Sequence, residues 1–244
     1  SSPPTLPQNE SSMKTIRILS GGAAQGLVGK LKEEFSAKHG AKVDGTFGAV
    51  GMMRDKLLAG EPCDLMILTG EMISALASKG QIVANTARAL GIVKTGVAIK
   101  AGVAKPDVST PKALEALLRK SSGIYFPDPE KATAGIHFMK VLRMLGIDQQ
   151  VAGTLRPFPN GATAMKELAG APEGSVGCTQ VTEILYTPGV QLAGVLPKKF
   201  ELATMYTAAV CSRAQEPEAA AVLIDMLAGE PARAVREAGG FEPL

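Results

Sequence analysis

The residues of this chain that could do chemistry gather in five short segments rich in glycine, alanine and hydroxyl side chains. They are Ser20-Gly21-Gly22-Ala23, Gly48-Ala49-Val50-Gly51, Asp128 through Thr133-Ala134-Gly135, Asn160-Gly161-Ala162-Thr163 and Cys178-Thr179-Gln180-Val181-Thr182. Each follows an apolar, strand-like run and precedes a segment of helical period. A helix that starts there offers unpaired backbone N–H groups and the positive end of its dipole, and small side chains let a ligand reach them. Glycine and Ser/Thr/Asn also cap helices with no ligand involved. Five such exits, split between two halves of the chain, point beyond capping to a shared anion site. Its candidate lining is Gly21, Gly22, Gly48, Ala49, Val50, Thr133, Ala134, Asn160, Gly161, Thr179 and Gln180.

Cations at or just past these exits could pair with an anion: Arg54, Lys131, His137 and Arg156. The plain alternative for each is an exposed surface charge. Arg54 and Lys131 are the stronger candidates because they stand nearest the loop glycines and Asp128. Proton transfer would need a base, and Glu183, Glu130 and His137 are the candidates. Both glutamates equally suit a helix start, where the dipole favours a carboxylate, and the histidine could simply pack.

Several chemistries are excluded. Gly21-Gly22-Ala23-Ala24-Gln25-Gly26 matches neither a phosphate-binding P-loop nor a dinucleotide fingerprint, and no Gly-x-Ser-x-Gly elbow occurs. Cys63, Cys178 and Cys211 lie in or beside apolar runs and read as buried, inert thiols, and His39 is far from His137. Neither a metal nor a cofactor is expected.

The elements that must position these residues alternate in type. Strands are expected at 16–19, 42–47, 64–68, 123–126, 154–158 and 175–178. Helices are expected at 52–58, 71–79, 133–145, 162–168 and 181–186, with Ile136, Met139, Leu142 and Met144 on the inward stripe of the third. This βα alternation predicts an α/β protein with a mostly parallel sheet flanked by helices. Residues 89–100 and 201–212 are longer β-rich stretches, read as two crossings between lobes, the first a hinge candidate. The expected organisation is therefore a leader or tag over 1–14, a first lobe of 15–93 plus 201–244, a second lobe of 94–200, and a ligand cleft between them.

Composition narrows the partner. The 244 residues are 45% apolar and carry 26 Lys+Arg against 23 Asp+Glu, a net charge of +3. That balance argues against gripping nucleic acid or an anionic membrane surface, and no apolar run reaches the roughly 18 residues of a membrane span. A monomer that binds a small anionic solute is the expectation. The Pro- and Ser-rich start suits the spacer of an exported, periplasmic protein. Met13, if it were the native start, would instead make the protein cytoplasmic.

The sequence resembles the molybdate-binding branch of the type II solute-binding proteins, the receptors of bacterial ABC importers. The resemblance spans about Thr15 to Phe241. It rests on the small-residue exit after the first strand, on Cys63-Asp64-Leu65-Met66-Ile67 where the family has an Ala-Asp-Leu-Phe-Ile-like strand, on Asp128-Pro129-Glu130 followed by Thr133-Ala134-Gly135-Ile136, and on Gly239-Gly240-Phe241 near the end. It implies two lobes, two crossovers, a ligand trapped between them, and an ABC permease as partner.

Molybdate binders of this family typically place serines at the first two exits and a tyrosine at the last. Those places fall here on Gly21 or Gly22, Ala49 or Val50, and Gln180. With those hydroxyls gone, a di- or tricarboxylate is expected in place of molybdate. The resemblance also reaches an aconitate isomerase group, in which the same fold shifts a double bond in a tricarboxylate by taking and returning an allylic proton. Capture for import is the first expectation and isomerisation the alternative. The effector domain of LysR-type regulators shares the fold, but only fourteen residues precede the first strand, so a DNA-reading helix-turn-helix is not expected.

Overall fold

In the run Lys14–Gly21 the apolar residues Ile16, Ile18 and Leu19 are all buried, and it forms strand β1. The computed structural model describes Ser1 and residues 13–244. The expected leader falls mainly on residues 2–12, outside the described residues. After β1 come α1 (Gln25–His39), β2 (Ala41–Gly48), α2 (Val50–Leu58), β3 (Leu65–Thr69) and α3 (Gly70–Ser78). β1 pairs in parallel with both β2 and β3, as right-handed βαβ connections require. Leu27, Val28, Leu31 and Phe35 seat α1 on this sheet.

The next strand, β4 (Arg88–Lys100), belongs to two sheets. Its first part, Arg88 to Lys94, pairs antiparallel with β9 (Ala203–Val210). From Thr95 to Ile99 it pairs antiparallel with β7 (Val176–Gln180), and Gly96 to Lys100 also pair with β8 (Val190–Val195). Between β4 and β8 lie α4 (Pro111–Lys120), β5 (Ile124–Pro127), α5 (Thr133–Leu145), β6 (Leu155–Phe158), α6 (Gly161–Ala169), β7 and α7 (Val181–Tyr186). The full order is β2-β1-β3-β9-β4-β7-β5-β6, with β8 beside β4. After β9 come α8 (Pro217–Ala228), which packs on the first sheet, and α9 (Arg233–Ala238), which lies against α1.

The apolar core divides where the pairing of β4 changes. Ile16, Phe35, the run Leu65 to Leu68, Val93, Leu223 and Phe241 form one cluster, while Val97, Phe126, Phe138, Leu142, Val176 and Phe200 form another. A smaller third cluster holds Met165, Leu168 and Ile184. Among the described residues no helix is long and apolar enough to cross a membrane.

Asp64 shows how one polar side chain organises the first lobe. It is buried, and its carboxylate accepts the N–H groups of Arg17 (2.8 Å), Gln215 (2.7 Å) and Glu216 (3.0 Å). From the entry to β3, one carboxylate thus ties β1 to the start of α8 by accepting backbone N–H groups from both.

The structure corrects three local expectations. The inward stripe of α5 is Ala134, Phe138, Val141 and Leu142, whereas Ile136 and Met144 are 37% and 57% exposed. Phe138 is the residue that sets the rotation of the helix, since its ring packs 5.2 Å from that of Phe126. Strand β8 is unexpected, because a Gly-Val-Gln-Leu-Ala-Gly run has little β-branched character. Helices α2, α3 and α6 also begin earlier, at Val50, Gly70 and Gly161, so the exit loops are at most two residues long.

Candidate functional site

The exits converge between the two lobes. Gly22, Gly48, Ala49, Val50, Thr133, Ala134, Gly161, Gln180 and Glu183 line one small cavity of about 20 Å³, completed by Ala23, Pro127, Ala132 and Tyr206. Two glycines are required by closeness rather than by turn geometry. A Cβ at Gly22 or at Gly161 would overlap the Glu183 carboxyl, which sits between these two backbones.

Glu183 is the chemical centre of this chamber. As the third residue of α7 it reaches back to the N–H of Gln180, the cap of that helix, in the manner of a capping box. It also accepts from the N–H of Ala162 at the start of α6 and, at 2.8 Å, from the Thr179 hydroxyl. These donors hold the group in place, but burial outweighs them and pushes its pKa up to about 7. A buried carboxyl beside a cavity, able to hold or release a proton near neutral pH, is equipped for proton transfer.

Tyr206 enters from β9. Its phenol oxygen accepts from Gln180 Nε2 at 2.9 Å and lies within reach of the Thr133 hydroxyl, and burial together with the charge of Glu183 pushes its pKa up. Gln180 Oε1 is buried with no hydrogen-bond partner. An acceptor left open beside the cavity is one that a donor on a ligand could satisfy.

A larger cleft of about 920 Å³ opens next to the chamber and shares Val50 and Thr133 with it. Here lie Arg54, Lys131, Lys140, His137, Glu71 and Glu130. Lys131 Nζ is 3.0 Å from Asp55 and Arg54 Nη2 is 3.2 Å from it, and the hydrogen bond from Lys131 leads the lowering of the Asp55 pKa. Asp128 fixes the loop by accepting the N–H groups of Glu130 (2.7 Å) and Lys131 (2.9 Å). The N–H of Gly51 donates to the Lys131 carbonyl at 3.0 Å, so α2 and this loop are joined by backbone as well as by charge.

The structure therefore sorts the sequence candidates. Arg54, Lys131, His137 and Glu130 line the outer cleft rather than the chamber, and His137 Nε2 is held 2.7 Å from the Phe200 carbonyl. Arg156 lines neither space and bonds the carbonyls of Gly153 and Leu155 on the surface. Asn160 caps α6 by accepting the Thr163 N–H at 2.8 Å, and Gly21 ends β1 opposite Gly48. Thr179 serves Glu183. Tyr206 is the residue that sequence reasoning missed. Its one signal is indirect: Gln180 stands where a tyrosine is expected, and Tyr206 brings a phenol to that amide from another strand.

The family model for bacterial extracellular solute-binding proteins matches residues 16–242. The chain belongs to that family. The chain is also similar to an aconitate isomerase from a Pseudomonas species, 26% identical over 238 residues that cover 94% of this chain and 88% of that protein. Among solved structures it resembles the Azotobacter vinelandii periplasmic molybdate-binding protein, with a TM-score of 0.76, 17% identity, and coverage of 94% and 99% of the two chains. A sulfate-binding protein from Mycobacterium tuberculosis gives a TM-score of 0.74 at 17% identity, covering 95% of this chain and 87% of that one. At these identities the structural likeness establishes the two-lobe fold.

Proposed function

We propose that the inter-lobe cleft binds an unsaturated di- or tricarboxylate and that Glu183 moves a proton on it, an activity of the aconitate isomerase kind. The observation that carries this reading is the position of Glu183, a buried carboxyl with a pKa raised to about 7, walled in by Gly22 and Gly161. In a site that only holds an anion, this carboxyl must keep its proton, because its charged form would repel the ligand. In a site that shifts a double bond, its carboxylate form can serve as the base. The isomerase relative, 26% identical along nearly the whole chain, supports the same assignment.

In the proposed reaction the Glu183 carboxylate removes a proton from the methylene next to the double bond. The electron pair spreads through the allyl system into the adjacent carboxylate, the Glu183 carboxyl exchanges its proton with solvent, and a proton is delivered to the far end of that system, so no atom is gained or lost. The phenol of Tyr206, the Thr133 hydroxyl and the backbone N–H groups around the chamber would face the developing charge. Arg54, Lys131 and Lys140 in the outer cleft would take the remaining carboxylates. A cavity of about 20 Å³ is too small for a tricarboxylate, so the lobes would part to admit one, about the strands β4 and β9 that join them.

The family match favours a second reading, capture of a small anionic solute for a periplasmic ABC importer. The two separate cleanly in D₂O. Incubated with trans-aconitate, the isomerase gives the cis isomer with deuterium at carbon, and Glu183→Gln slows this by about 10² to 10⁴-fold. Tight binding with no exchange at carbon would leave the importer reading standing alone.

A further inference from the structure

We propose that Cys63 and Cys211 form a redox-modification site in the first lobe, two thiols that a disulfide-bearing oxidant converts into a cross-link between the entry to β3 and the exit of β9. The residues are 148 positions apart in the chain, yet their Sγ atoms lie 3.4 Å from each other. The approach is built into the fold. The N–H of Cys211 donates to the Asp64 carbonyl at 3.0 Å, which continues the antiparallel ladder of β3 and β9 by one step, and the Asp64 carboxylate pins the same stretch to β1 and α8. Cys63 is further oriented by its contact with the Leu65 carbonyl at 3.2 Å.

Both thiols are buried, but both line a cavity of about 310 Å³ together with Arg17, Gln81, Arg213 and Gln215, remote from the inter-lobe chamber. A small oxidant can therefore reach them. Cys178, in contrast, is 1% exposed in the core of the second lobe and lines none of these spaces.

In the proposed step the Cys63 thiolate attacks one sulfur of the oxidant's disulfide and displaces the other as a thiolate. Cys211 then attacks Cys63 Sγ and releases the second thiol. Two cysteine thiols lose two electrons, the oxidant disulfide gains them, and the two protons end on the released dithiol or thiol pair.

The test uses the intact chain treated with hydroxyethyl disulfide, then denatured, alkylated and digested. Reactive thiols should fall from three to one per chain, and the digest should contain Cys63 and Cys211 joined in one peptide pair. Cys178→Ala should keep this cross-link, and Cys63→Ala should lose it. Three free thiols after oxidation, or a cross-link through Cys178 or between chains, would overturn the proposal, and the peptide map of the unsubstituted chain decides even if a variant fails to fold.

Discussion

Gln180 and Tyr206 form a hydrogen bond between the two lobes: the amide at the end of β7 donates to the phenol oxygen on β9 at 2.9 Å. Both side chains are buried, and both line the chamber that holds Glu183. Replacing Tyr206 by Phe removes the acceptor and leaves a buried amide unsatisfied. A loss of about 1 to 3 kcal/mol in unfolding free energy is expected from urea melts, along with weaker ligand binding.

Glu183 makes stability depend on pH in the direction opposite to most carboxylates. Burial raises its pKa from 4.5 to about 7, so between these values the folded chain holds a proton that the unfolded chain has released. The contribution is fully present below about pH 4.5 and is lost as pH rises through about 7. Relative to Glu183→Gln, the unsubstituted protein should lose about 3 kcal/mol across this window. Parallel unfolding curves for the two proteins would show a wrong protonation state.

Gly22→Val should keep the fold and abolish ligand binding. Its Cβ would displace the Glu183 carboxyl, so the lobes cannot meet as they do here. Gly48→Val should be milder, since its Cβ meets only the flexible end of Met53 at 3.0 Å. Circular dichroism reads the first effect and titration calorimetry with aconitate the second, and equal affinities in both variants would place the site elsewhere.

Lys131→Ala removes the ion pair with Asp55, whose side chains are 38% and 43% exposed. Water screens a pair of that exposure, and its loss should cost no more than about 1 kcal/mol of stability. Binding of a multiply charged carboxylate should suffer more than stability does and should become less sensitive to salt. Calorimetry at two ionic strengths tests this.

What the sequence makes legible here is local. Glycines at strand exits mark backbone that something must approach, and at Gly22 and Gly161 that something is the Glu183 carboxyl. The α/β alternation is readable because each βα unit carries its own apolar period. The rotation of α5 is not, because Ile136 and Phe138 compete for the inward face and only the packed Phe126 ring decides between them. Tyr206 and the Cys63–Cys211 pair are set by the return of β9 between β3 and β4, a pairing across more than a hundred residues that leaves no mark in any short window. Arg156 fails for the reverse reason, since nearby carbonyls claim its guanidinium.

The placement of β9 also orders the assembly of the molecule on the ribosome. The second sheet, β6-β5-β7-β4-β8, uses an unbroken stretch of chain and can close as soon as β8 has emerged. The first sheet cannot, because its central gap between β3 and β4 waits for residues 203–210, and Ile92 then exchanges backbone hydrogen bonds with Glu242, two residues from the C-terminus. Closing so long a loop is entropically slow, so the lobe whose synthesis begins first should be the later one to mature. A nascent chain stalled after β8 would carry a finished second lobe and an open, apolar-edged first one, and that interval is when the protein most needs shielding from aggregation.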